Sequence, residues 1–139
     1  VQLDSGATSS TGIGVVAANQ LAFWKDRSTY KVTNDWPQAV GGQGSTNQWR
    51  NSVAGVFRKA LTAGDYAFIL QRGRNINVAS KASTYVAGDW VVPDTTVSKA
   101  QVDVVTAGTA PGVKAIGTAA GVRSGANVPV DLDILPGIE

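Results

Sequence analysis

Apolar and polar residues alternate most regularly over residues 127–134, where Val128, Val130, Leu132 and Ile134 fall on one side and Asn127, Pro129, Asp131 and Asp133 on the other. Period two over that length predicts a strand with one wet face. Pro129 has no N–H to give a ladder, which predicts a sheet edge or a bulge at that end. Shorter alternations at Asn75-Ile76-Asn77-Val78 and Gln101-Val102-Asp103-Val104 predict further strands. A four-residue device then occurs twice. Ala63-Gly64-Asp65-Tyr66 opens into Ala67-Phe68-Ile69-Leu70, and Ala87-Gly88-Asp89-Trp90 opens into Val91-Val92. Glycine takes positive φ without steric cost and aspartate bonds nearby backbone, so each copy predicts a turn leading into a strand.

The rest of the chain is less regular. Residues 13–25 fit a short helix or a strand ending in Phe23-Trp24, and 29–33 fit a brief strand. Residues 34–47, with Pro37, Gly41, Gly42 and Gly44, predict a loop. Over 49–61, Trp49, Val53, Val56 and Ala60 recur at helical spacing, but Gly55 costs a helix about 1 kcal/mol, so a strand over 52–59 is preferred. Residues 108–112 and 121–125 are Gly-bearing turns. Residues 1–12, rich in Ser, Thr and Gly, predict a flexible N-terminal arm ahead of a single β-rich domain over 13–139. The predicted class is all-β: a small barrel or sandwich of short antiparallel strands with an extended N-terminal arm.

Composition narrows the chemistry. Charged residues make up 16% of the 139, below the usual ~25%. There is no cysteine, hence no disulfide and no thiolate metal site, and no histidine. Ser-His-Asp triads, Cys-His dyads and nearly all zinc chemistry are excluded with them. The chain also lacks methionine, including at position 1, which suggests processing or a longer product. Net charge is +2 and no Lys/Arg run exceeds two, so no nucleic-acid footprint is expected. No apolar stretch approaches the ~20 residues of a membrane span, so no membrane partner is expected either. No cofactor is implied.

Three motifs could carry chemistry. Ser28-Thr29-Tyr30-Lys31 matches a Ser-x-x-Lys pattern, but that pattern needs a helix to bring Lys beside Ser. Gly12-Ile13-Gly14 begins a loose dinucleotide fingerprint without the βαβ unit that gives it meaning. Asp131 and Asp133 lie about 7 Å apart along one strand face, close enough for acid/base work or Ca²⁺, with solvated charges as the simpler reading. A hydrolase would draw on these two and Asp65. Trp49, Tyr66 and Trp90 read as core. Trp36 and Arg50 are the leading partner-contact candidates, because Trp and Arg concentrate at interface centres. Trp24, Arg72 and Arg74 join them.

The segments 51–71 and 86–93, with their paired Ala-Gly-Asp turns, resemble the decoration (capsid cement) proteins of tailed bacteriophages. The later Gly117-Thr118-Ala119-Ala120-Gly121 and Val128-Pro129-Val130-Asp131-Leu132 are similar as well, so the resemblance covers about 51–132. It implies a small β-barrel bound to the outer capsid surface of a virion, without catalysis. The implied partner is the major capsid protein, with self-association at symmetry-related positions. Rival expectations are a tail-associated or adhesion β-module that binds a host glycan, an auxiliary domain of the shell protein, and the carboxylate hydrolase.

Overall fold

The structure is a computed structural model that describes residues 1–4, 15–34, 53–94, 100–105 and 115–134. Among these residues it is all-β. The strands are β1 (Gln2–Leu3), β2 (Val15–Val16), β3 (Leu21–Asp26), β4 (Lys31–Thr33), β5 (Val53–Phe57), β6 (Leu61–Thr62), β7 (Ile69–Leu70), β8 (Arg72–Ala79), β9 (Trp90–Pro93), β10 (Val102–Val105), β11 (Gly117–Ala119) and β12 (Asn127–Asp133). They form two five-stranded sheets, ordered β1-β4-β3-β5-β7 and β10-β9-β11-β12-β8, and a small β2-β6 pair. Pairing is antiparallel except between β1 and β4.

The first sheet curls into a half-barrel. β1 pairs with β4 on one side, and on the other Leu3 N–H donates to the Asp65 carbonyl (2.8 Å) while Gly64 N–H donates to Leu3 O (2.9 Å). Ala67 N–H returns to Val1 O, and the Val1 nitrogen donates to Ala67 O. The stretch 64–70 therefore bonds β1 at its start and β5 at its end, lacing the curl shut. The expected arm over 1–12 is corrected here: its first residues are a strand, and Leu3 is buried because it faces the inside of the curl. Residues 5–12 lie outside the described residues.

Two cores result. Leu3, Ala22, Trp24, Val32, Ala54 and Phe57 pack inside the curl. Leu21, Phe23, Val53 and Val56 pack on its outer face against Val78, Tyr85, Val91, Val128, Val130 and Leu132 of the second sheet. β3 and β5 are thus covered on both faces, and Leu21–Trp24 and Val53–Phe57 are buried without a break. Such strands read as continuous apolar runs rather than alternating ones. A bulge shifts the register between Ala22/Gly55 and Phe23/Val53, so Val53 and Val56 reach the same core at a spacing of three. This accounts for the Val53–Val56 step of the helix-like spacing; Trp49 lies outside the described residues. The Gln71 amide donates to Ala54 O at 2.9 Å within that bulge.

The duplicated turn is the same object both times. Gly64 and Gly88 have φ of 89° and 95°, as the third residue of a type II turn requires. Asp65 N–H donates to Thr62 O and Asp89 N–H to Val86 O, at 3.0 Å each. The aspartate carboxylates reach back to accept Thr62 N–H (2.9 Å) and Val86 N–H (3.1 Å). Each turn also clasps one residue of a distant strand. Gly64 and Asp65 bracket Leu3 of β1, and Gly88 and Asp89 bracket Ala119 of β11 through Gly88 N–H to Ala119 O and Ala119 N–H to Asp89 O.

β12 is the strand its alternation predicts, with Val128, Val130, Leu132 and Ile134 all buried. It is not an edge, being flanked by β11 and β8. Pro129 is tolerated because β11 ends at Ala119: the Pro129 carbonyl accepts Ala120 N–H (2.8 Å), and its missing donor falls where that ladder stops. The bulge lies elsewhere, on β8 opposite Asp131.

Candidate binding surface

The carboxylates marked by the sequence have structural roles. Val130↔Ile76 and Leu132↔Gly73 leave one extra residue on β8, where Asn75 takes φ 55°. Asp131 Oδ1 accepts the Asn75 N–H at 3.0 Å, filling the bond that this bulge leaves open. Asp133 accepts Arg72 Nε at 2.8 Å, with both side chains more than half exposed. The two acids, with Arg72, Gly73, Arg74 and Leu132, line an open surface hollow of about 570 Å³. Asp65 is held below the ordinary carboxylate range, first by the Thr62 backbone N–H and then by its hydroxyl. A general acid needs the opposite shift. Among the described residues no three acidic side chains converge as a metal site would require.

Ser28 and Lys31 are not brought together as an acyl-transfer pair. The stretch 27–30 is a turn rather than the expected strand, and Lys31 opens β4. Ser28 N–H and Oγ both bond Asp26 Oδ1, at 2.9 and 2.7 Å. The Ser28 hydroxyl, foremost among several bonds, holds Asp26 below the usual carboxylate range.

Of the five partner-contact candidates, Trp36 and Arg50 lie outside the described residues. Trp24 is a correction. It sits in the inner core of the half-barrel at 8% exposure, because β3 is central and its even-numbered residues face the interior. Arg27 covers its ring at 5.7 Å from the centroid. Arg72 and Arg74 are exposed on β8 of the second sheet, remote in the fold from Trp24, and Arg72 already pairs with Asp133.

The structure instead exposes two aromatics that read as core from the sequence, Tyr66 at 74% and Trp90 at 45%, together with Phe68 at 95%; Trp49 lies outside the described residues. Tyr66 and Phe68 stand two residues apart in the stretch that laces the curl shut, so they share its outer side, while Ala67 and Ile69 pack inward. Arg58 and Lys59, just past β5, line a hollow of about 540 Å³ with Tyr66, Ala67 and Phe68. Arg58 donates to Asn19 Oδ1 (3.2 Å), and neither cation forms an ion pair with a described carboxylate. Tyr30, 67% exposed, lies nearby in the backbone ladder: its carbonyl accepts Gln2 N–H, and Gln2 pairs with Tyr66. Two strand spacings put its Cα roughly 10 Å from that of Tyr66.

The site is an aromatic and basic face on a stretch hydrogen-bonded to β1 and β5. Comparison with protein-family models, curated proteins and solved structures finds no match to this chain.

Proposed function

We propose that this chain is a non-enzymatic structural protein of a phage virion that binds the outer capsid surface and stabilises the head. The observation that carries the proposal is a phenylalanine held in water, at 95% exposure, in a stretch whose start bonds β1 and whose end bonds β5. Exposed aromatic side chains grouped on one hydrogen-bonded stretch, Phe68 with Tyr66, are what an interaction surface presents. The paired Ala-Gly-Asp turns, shared with the decoration proteins the chain resembles, support the capsid as that partner.

The mechanism is physical. A protein that binds only the assembled shell stabilises it by RT ln(1 + [L]/Kd), about 2.7 kcal/mol per site at a hundredfold excess over Kd. Copies that also touch one another on a lattice gain from effective concentration, so each contact can be modest. The test mixes purified protein with expanded shells assembled without it, and measures co-sedimentation and shell melting temperature. Binding with a raised melting temperature is expected, and the absence of both would end the proposal.

The clustering of Tyr66 and Phe68 on one rim also favours a second reading, a tail-associated or adhesion module for a host glycan. Retention of the protein on a glycan array, with no affinity for shells, would select it.

A further inference from the structure

We infer that the face formed by Tyr66, Phe68, Arg58 and Lys59 is the docking surface, and that its occupant is a protein surface presenting an apolar socket rimmed by carboxylates. The inference rests on the capsid-binding reading and names its contact face. Phe68 and Tyr66 project outward from one stretch whose neighbours Ala67 and Ile69 are anchored in the inner core. Both rings are therefore presented with little backbone freedom left to lose, which favours affinity. Neither cation beside them is in a direct ion pair among the described residues, although the charge of Lys59 acts on the exposed Asp65 next to Tyr66. The two cations outnumber that one carboxylate, so an acidic rim on the partner complements the face, and rim charges of this kind steer encounter and set orientation.

The charges also argue against other occupants. A second copy docked face to face about a twofold axis would gather Arg58 and Lys59 of both copies in one interface, with only the two Asp65 carboxylates nearby to offset four cations. The exposed acidic residues Asp131 and Asp133 offer a second copy little in exchange, because Arg72 pairs with one and Arg74 lines the same hollow. Single-stranded nucleic acid needs a basic groove that follows a backbone. Here two cations flank an apolar hollow in a chain of net charge +2.

The test uses three variants of the whole protein: Phe68→Ser, the double variant Arg58→Glu with Lys59→Glu, and Val122→Ser as an exposed control on another turn. Thermal melts establish that each is folded, as their exposed positions predict. Binding to expanded shells assembled without this chain is then titrated by co-sedimentation at low and high salt. Phe68→Ser should weaken binding about 30-fold or more, the size of an interface hot spot. The double variant should weaken it and flatten the salt dependence, and Val122→Ser should bind as wild type. If wild type binds while Phe68→Ser and the double variant bind within twofold of it, the contact face lies elsewhere and only this inference falls. If wild type fails to sediment with shells, this inference and the capsid reading fall together.

Discussion

Tyr85 offers a sharp check on how the second sheet is held. It is 1% exposed, and its hydroxyl lies 2.9 Å from Lys81 O and 3.2 Å from Val102 O. One proton serves both carbonyls, and Val102 O already accepts Lys81 N–H at 2.8 Å. Tyr85→Phe keeps the ring and its packing, so it removes chiefly the bond to Lys81 O, at a cost of about 1 kcal/mol near neutral pH. A pH signature accompanies that cost. Burial first, then the nearby Asp103 charge, pushes the phenol from 10 up to about 12. The folded state therefore keeps its proton where the unfolded chain has begun to lose it. Stability from this group is complete below pH 10 and declines as pH rises through 12. Two units at 1.36 kcal/mol each set an upper bound, and solvent screening reduces it to roughly 1–2 kcal/mol. Urea unfolding of wild type and Tyr85→Phe at matched pH cancels the titration of lysines common to both. The gap between them should close as pH climbs from about 10 to about 12, and the ultraviolet difference titration should show one late phenol. A gap that stays constant across that range would refute the burial account.

Three further substitutions probe the turns and the close approach of strands. Gly117→Ala puts a Cβ into the Asp131 carbonyl and 3.0 Å from Val130 Cγ1, and Asp131 cannot retreat because β12 is bonded on both sides; we expect a loss of about 3 kcal/mol or more, read as a lower urea midpoint at unchanged slope. Gly88→Ala meets open space but inherits φ 95°, so about 1 kcal/mol is expected in the same assay. Asp65→Ala leaves Thr62 N–H to water and should lower the melting temperature at neutral pH. Because the folded carboxyl titrates below its unfolded value, that contribution is present above the unfolded pKa and is lost as pH falls through the folded one. Wild type and variant should accordingly converge in acid, and a difference that persists there would contradict the role given to the carboxylate.

The fold was legible where one face of a strand is wet. β12 alternates because Asp131 and Asp133 meet solvent while Val130 and Leu132 meet the core, so composition and geometry carry the same period. The paired turns were legible because positive φ and a side-chain acceptor demand particular residues at particular offsets. The pattern of β3 fits helix and strand alike, and that of β5 favours a strand only because Gly55 disfavours a helix. Leu21–Trp24 and Val53–Phe57 are covered on both faces, so no polar residue marks a wet side, and the bulge beside Gly55 imposes a spacing of three that imitates a helix. The docking of residues 1–4, the described part of the expected arm, was not legible for another reason. Gln2–Leu3 is too short for any period to register, and what holds it is pairing with β4 and bonding to residues 64–67, more than sixty positions away.

The exposed aromatic face was not legible for a related reason. In Tyr66-Ala67-Phe68-Ile69 both alternating sets are apolar, so periodicity cannot say which set is buried. Side-chain size could have decided it. The interior of the half-barrel is already filled by Trp24, Phe57 and Leu61, which leaves room for Ala67 and Ile69 more readily than for two rings. The larger set must then face outward, and a chain that places a phenylalanine and a tyrosine in water beside Arg58 and Lys59 forgoes solubility there. A fold that needed only to be stable would gain by a polar residue at Phe68, since its 95% exposure contributes almost nothing to either core. The proposed contact face is where such a ring would be covered.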